Sequence, residues 1–321
     1  MFFTRTSILK IQAPSHYSND DRTSLPALSS CGHVLDMDEH SWGELTDSSP
    51  LRYDMPALRQ RMADEGHLFF RRFFPRDLIL EARMSLLERL AQNEGVFDPA
   101  HPLSDGILLT EVKAPVGFTP EVALGNTAIQ RVVLGPEIKE FYTRFLGGMI
   151  RHFDYIWVRS MGSGHGTKPH CDIVYMGRGT HELYTAWIPY GDVTYDIGGL
   201  MILEKSHLQS ARIDKYLKSD VDTFCENNPE RHGWKFGGAL STNPTSLRQK
   251  FGGRWLSAEF RMGDLLTFRM NTVHASLDNH SNRIRFSTDT RYQLASEPVD
   301  ERWVGENPIA HGPAGRRGMI C

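Results

Sequence analysis

The sequence predicts a mainly β domain with flanking helices, an α+β chain whose strands build an antiparallel double sheet or barrel. Three observations lead there. From Arg151 onward the apolar pattern has a period of two, as in strands with one buried face. The strand-like segments are short and broken by glycines and turn residues, which does not fit a βαβ repeat. Helical periodicity gathers before residue 150, so a helical layer should lie beside the sheet.

Taken in order, residues 1–50 are rich in Ser, Pro, Asp and His and are expected to form an irregular N-terminal arm. A single domain should occupy 51–298. It opens with Met55, Leu58 and Met62 at helical spacing and Gly66 as the stop. HLFFRRFFP then reads as an aromatic strand ended by Pro75. Asp77 can cap a helix that carries Ile79, Ala82, Leu86 and Leu90 on one stripe. The pattern weakens over 96–135, where ILLTEV is a candidate strand. Glu137 to Phe145 reads as a helix with Ile138, Phe141, Tyr142 and Phe145 inward, ended by Gly147 and Gly148.

The strand series follows. HFDYIWVRS sets Phe153, Tyr155, Trp157 and Arg159 on one face, LYTAWIPY sets Leu183, Thr185, Trp187 and Pro189 on one face, and GGLMILEKSH adds a short strand. Residues 211–260 interrupt it with a polar, glycine-hinged insertion carrying Trp234 and Trp255, expected to be a lid over the site or a dimer contact. DLLTFRM and RIRFSTDTRY resume the sheet, and 299–321 reads as a C-terminal tail.

Composition narrows the function. The chain has 321 residues, 40% of them hydrophobic and 23% charged, which suffices for a full core. A formal net charge of −3 supplies no field for a polyanion, so nucleic acid is not expected as a partner. No apolar run approaches the roughly 18 residues of a membrane span, and the N-terminus lacks the apolar core of a secretory signal. The four cysteines show no metal or redox spacing, which fits a reduced cytoplasm. GSGHG lacks the spacing and following helix of a phosphate loop.

The chemistry centres on KPHCDIVYMGRG, residues 168–179. In an extended segment His170 and Asp172 project from one face, and an imidazole beside a carboxylate suits a redox-active divalent ion, above all Fe(II). On the pair alone, a hydrogen-bonded strand pair fits equally well. His274, at the end of the apolar run in GDLLTFRMNTVHAS, supplies the missing second imidazole. The strand after it carries Arg283, Arg285, Ser287, Asp289 and Arg291 on one face. Arg285 and Ser287 suit a carboxylate held bidentately, as at the far end of a dicarboxylate whose other end chelates the metal. Arg283 competes for that part, and Arg291 reads as structural. Asp264 is expected to fix a turn and His207 to cap one.

In order, HCD, WIPYGDV, GGLMILEKSH, GDLLTFRMNTVHAS and RIRFS resemble the phytanoyl-CoA dioxygenase family, and MADEGHLFFRRFFPRDLI resembles its usual opening. These are Fe(II)- and 2-oxoglutarate-dependent oxygenases on a double-stranded β-helix, a jelly roll of the cupin-like kind. The resemblance covers roughly 55–295. It implies His170, Asp172 and His274 as iron ligands and Arg285, with Ser287, as the grip on the 2-oxoglutarate C5 carboxylate. Thr185 is a candidate donor to the same co-substrate. The implied reaction consumes O2 and 2-oxoglutarate and hydroxylates an unactivated C–H bond of a small molecule, releasing succinate and CO2. Desaturation, ring closure and epimerisation stay open, as do a 2-oxoglutarate-independent cupin-like metalloenzyme and a non-catalytic binding protein on this fold. Tyr155, Trp157, Arg159, Lys168, Arg283 and Trp234 are candidate substrate contacts, suited to an anionic molecule with an apolar body. The protein is expected to act as a monomer or homodimer.

Overall fold

In the computed structural model, which describes residues 27–111, 117–227 and 237–312, the period-two segments form two sheets packed face to face. The larger runs His67–Phe70, Leu265–Arg269, Tyr184–Pro189, Arg285–Leu294, Trp157–Met161 and Gly117–Phe118, each pair antiparallel. Ile150–His152 pairs with the far end of Arg285–Leu294. The smaller runs His274–Ser276, Leu200–Leu203, Trp255–Ser257 and Trp42–Glu44, the last pair parallel. This is the expected double-stranded β-helix with flanking helices.

Alternation along the strands decides which side chains meet. Phe69, Trp187, Leu266 and Phe268 of the larger sheet face Leu200, Ile202 and Leu256 of the smaller and close the inner core. Their neighbours Phe70, Leu265, Ala186 and Ile188 turn outward onto Ile79, Leu86, Phe141 and Phe145 of the helices. Each residue thus serves one core or the other.

The helices begin and end for local reasons. Met55–Glu65 is capped by the Asp54 carboxylate, which accepts from Ala57 N, and stops at Gly66, whose φ is 75°. A side chain there would also meet the His207 ring, with a Cβ 2.4 Å from Nδ1. His207 donates instead through Nε2 to Ala63 O at 2.9 Å, so it caps this helix rather than the turn beside it in sequence, where it was expected. Arg76–Leu90 starts two residues earlier than expected, after Pro75, with Asp77 in its first turn rather than at the cap. Pro136–Leu146 buries Ile138, Phe141, Tyr142 and Phe145, as their spacing predicts.

Four stretches are more regular, or less, than expected. Trp42–Glu44 of the N-terminal arm is an edge strand of the smaller sheet. Trp255–Ser257, inside the interval 211–260, is a strand, and the Trp255 indole is buried and donates to Pro244 O. The rest of that interval, where described, is mostly short helices: Asp214–Leu217, Val221–Glu226 and Pro244–Phe251. Of the segment ILLTEV, the described residues 107–111 form no strand; Ile107 and Leu108 make only isolated bridges, to Arg283 and Phe97. Beyond residue 298, Trp303 is fully buried, and Arg302 is tied to Asp220, Asp222 and Asp300. No helix among the described residues is long and apolar enough to cross a membrane.

Candidate metal centre

His170 and His274 are joined through their backbones before their side chains meet. Each donates its amide N–H to the other's carbonyl, both at 3.0 Å, an isolated antiparallel bridge between residues 104 apart in sequence. The two rings lie with centroids 4.1 Å apart. Asp172 does not continue an extended strand, which corrects the sequence expectation. Its backbone is helical (φ −64°, ψ −26°) and starts the turn Ile173–Met176. Asp172 accepts no capping bond there, because its side chain turns inward to the histidines.

One ligand atom from each of His170, Asp172 and His274 lies within 4.8 Å of the others, and all three residues are buried. Both imidazoles are oriented from behind. His170 donates through Nδ1 to Lys168 O at 2.7 Å and His274 through Nδ1 to Thr272 O at 3.0 Å, so both Nε2 lone pairs face inward. Asp172 Oδ1 stands 3.8 Å from Nε2 of His170 and 3.7 Å from Nε2 of His274. Burial drives the His170 pKa down to about 3, and also lowers that of His274, so both rings are neutral at neutral pH. Burial alone would raise the Asp172 pKa, but the Arg291 guanidinium and the two imidazoles hold it far below the usual carboxylate range. Two neutral imidazoles and one carboxylate form a facial triad capable of holding Fe(II).

Behind the triad, Asp172 Oδ2 accepts from Thr185 Oγ1 at 2.5 Å and from Arg291 Nη2 at 3.0 Å. The Thr185 proton is therefore committed to Asp172, which corrects its assignment as a donor to 2-oxoglutarate. Arg291 was read from sequence as merely structural, and its contact with a ligand is the main thing that reading missed. Register explains it: Arg291 pairs with Thr185 across the sheet, and directly opposed residues share a face.

The same inward row continues from Arg291 through Asp289 and Ser287 to Arg285. Arg159 Nε donates to Asp289 Oδ2 at 2.7 Å. Arg285 is 2% exposed and donates through Nη1 to Gly198 O, yet its Nε and Nη2 are buried without a partner, as is Ser287 Oγ. Burial pushes the Arg285 pKa down to about 10, which leaves it charged at neutral pH. Buried donors without partners are uncommon, and a row of three suits a carboxylate that arrives with a ligand.

The remaining candidates scatter. Trp157 is buried against Trp303 and under the Arg291 guanidinium, 4.2 Å from its ring centroid. Tyr155 lies just before that strand, packed on Trp157 and Trp303. Lys168 is exposed and enters the site only through its carbonyl. Arg283 is exposed and precedes the strand, so it stands outside the inward row; it shares a cavity of about 170 Å³ with Arg83, Asp192 and Arg285. Trp234 lies outside the described residues. Asp264 accepts from Arg261 N and Arg72 N, at 2.9 and 3.0 Å, and fixes its turn as expected.

Comparison with known proteins fits this geometry. The family model for phytanoyl-CoA dioxygenase (PhyH) matches residues 122–287, about half of the chain. The chain is 27% identical over 266 residues to the 1-deoxypentalenic acid 11-beta-hydroxylase of Streptomyces exfoliatus, covering 79% of this chain and 86% of that protein. Among solved structures it is similar to the alpha ketoglutarate dependent carbocyclase SnoK from nogalamycin biosynthesis (16% identity, 80% and 90% of the two chains, TM-score 0.56). It is likewise similar to the epimerase SnoN in complex with Fe3+, alpha ketoglutarate and nogalamycin RO (18%, 81% and 94%, TM-score 0.54). The third is EctD from S. alaskensis in its apoform (14%, 89% and 94%, TM-score 0.55). At these identities the three structures speak for a shared fold.

Proposed function

From the premise that the chain belongs to the phytanoyl-CoA dioxygenase family, we propose that it is an Fe(II)- and 2-oxoglutarate-dependent hydroxylase of a small organic molecule. One observation carries this beyond family membership: a charged guanidinium with two unpartnered nitrogens, Nε and Nη2, is buried on the same inward row as the residue that braces the Asp172 carboxylate. His170, Asp172 and His274 would hold the iron, and Arg285 with Ser287 would bind the C5 carboxylate of 2-oxoglutarate bidentately. When bound, iron and 2-oxoglutarate together supply the oxidising chemistry: R–H, 2-oxoglutarate and O2 go to R–OH, succinate and CO2.

The chain's part is positioning and exclusion. No side chain needs to act as an acid or base on the C–H bond. The imidazoles stay neutral by burial, and Arg285 stays charged, so neither changes protonation on ligand binding at neutral pH. Tyr155 and Arg159 remain the substrate contacts in this proposal, an aromatic face and a cation for an anionic molecule with an apolar body. The hydroxylase similar to this chain acts on an acid, as its name says. Residues 51–298 would form the oxygenase domain, with the interval 211–260 as its lid, in a cytoplasmic protein.

Anaerobic titration of the Fe(II)-loaded protein with 2-oxoglutarate tests the co-substrate through the weak visible charge-transfer band of the chelate. Hydroxylation is then tested by succinate and hydroxylated product appearing in equal amounts. A product lacking the added oxygen would move the reaction to desaturation, ring closure or epimerisation, while turnover without 2-oxoglutarate would overturn the assignment.

A further inference from the structure

We propose that Arg291 is a positioning residue that restricts Asp172 to binding the metal through one oxygen, and so keeps coordination positions open for the co-substrates. This rests on the function proposed above. A carboxylate can bind a metal through one oxygen or both. If Asp172 used both, the metal would lose one of the positions that a chelating 2-oxo acid and O2 need. The two oxygens of Asp172 are not equivalent. Oδ1 faces both imidazole Nε2 atoms, at 3.8 and 3.7 Å. Oδ2 is occupied from behind by Thr185 Oγ1 and Arg291 Nη2. A metal seated against the imidazoles meets Oδ1, and drawing in Oδ2 would break two buried bonds, one of them charge-assisted.

Arg291 is itself held firmly. Its guanidinium lies over the Trp157 ring, and Nη1 donates to Asp289 O at 3.3 Å. A guanidinium buried only for stability would be expected to satisfy all its N–H groups, yet Nε has no partner. Conserving the fold does not require an ion pair here either, because a buried pair is often no more stable than packed apolar residues.

The test uses the full chain loaded with Fe(II), with Arg291→Gln, Arg291→Lys and Thr185→Val compared with the parent. Three readouts are taken: metal affinity, 2-oxoglutarate affinity from the charge-transfer band, and the mode of Asp172 in crystals of the metal-loaded protein. At full iron occupancy, Arg291→Gln is expected to bind 2-oxoglutarate about tenfold or more weakly, in the range of losses seen for residues behind metal ligands. Its Asp172 should bind through both oxygens. Arg291→Lys, which keeps the charge and a donor, and Thr185→Val should fall between it and the parent. A merely structural Arg291 would change thermal stability and iron occupancy but leave the 2-oxoglutarate affinity of the iron-loaded fraction unchanged, and that result overturns the proposal. If Arg291→Gln does not fold, the same comparison is read from Arg291→Lys and Thr185→Val, where parental affinity in both overturns it. Should the iron-loaded parent itself give no band, the co-substrate assignment has failed; the crystal readout then decides the positioning claim, with two-oxygen binding upholding it and one-oxygen binding rejecting it.

Discussion

Arg285 and Arg291 lie on one face of one strand, six residues apart, and the structure gives them opposite surroundings. Arg291 spends Nη2 on Asp172, whereas Arg285 keeps Nε and Nη2 unspent in a buried position. Replacing Arg285 should therefore strike the co-substrate and leave the metal alone. Arg285→Ala is expected to raise the KM for 2-oxoglutarate about a hundredfold, the loss of roughly 3 kcal/mol of charge-assisted hydrogen bonding. Arg285→Lys should lose roughly tenfold, because an ammonium cannot reproduce the fork. Fe(II) affinity measured on the same variants should stay near the parent's; a matching loss of iron would contradict the assignment. The sequence offered Arg285 with Arg283 as its rival, and only the resemblance to the family favoured Arg285; burial, which separates the two, was not legible there. The role of Arg291 was not legible, because it depends on a cross-strand partner, Thr185, that no local pattern names.

At the scale of elements, the metal loop holds its geometry from outside as much as from within. His170 and Asp172 were expected to converge by strand alternation; they converge because a backbone bridge to His274 is followed at once by a helical turn. The residue types were readable and the local conformation was not, since two residues suffice for neither a strand nor a helix signal. The 211–260 interval closes on this loop. Tyr216 Oη accepts from Cys171 N at 2.9 Å and donates to Gly238 O at 2.6 Å, Tyr175 Oη donates to Gly237 O at 2.7 Å, and Leu240 N donates to Pro169 O at 2.8 Å. Gly238 is required there: its φ is 76°, and an added Cβ would lie 2.2 Å from the Tyr175 ring. Tyr216→Phe leaves the Cys171 amide unsatisfied between two residues of the triad and is expected to cost about 1–3 kcal/mol in urea unfolding. Gly238→Ala should weaken iron retention during dialysis, and a variant that keeps iron as the parent does would show that the segment does not support the loop.

For the molecule as a whole, a metal held at the triad would be a ligand of an already folded protein. Two sheets share an apolar core of which the His274 ring touches Phe268, 4.5 Å between centroids, and Arg291 neutralises Asp172 without any ion. Chelation should therefore leave the far-UV circular dichroism unchanged while lowering Tm, by the loss of about 2.7 kcal/mol if free iron had stood at 100 times its Kd. Unfolding on chelation, as in small zinc domains, would show that the core cannot stand alone. Acid is the more general threat. His67 is 1% exposed on the strand opposite Phe268, and burial drives its pKa from 6.5 to about 4. Between those values the unfolded chain binds the proton and the folded one does not, so stability is full above pH 6.5 and falls as pH drops toward 4. The difference amounts to roughly 3 kcal/mol, and His170 and His274, lowered in the same direction, add to it in the metal-free protein. His67→Gln should flatten the metal-free stability profile between pH 6.5 and 4 relative to the parent, measured by urea unfolding at each pH. An unchanged slope would mean that His67 carries none of the acid sensitivity.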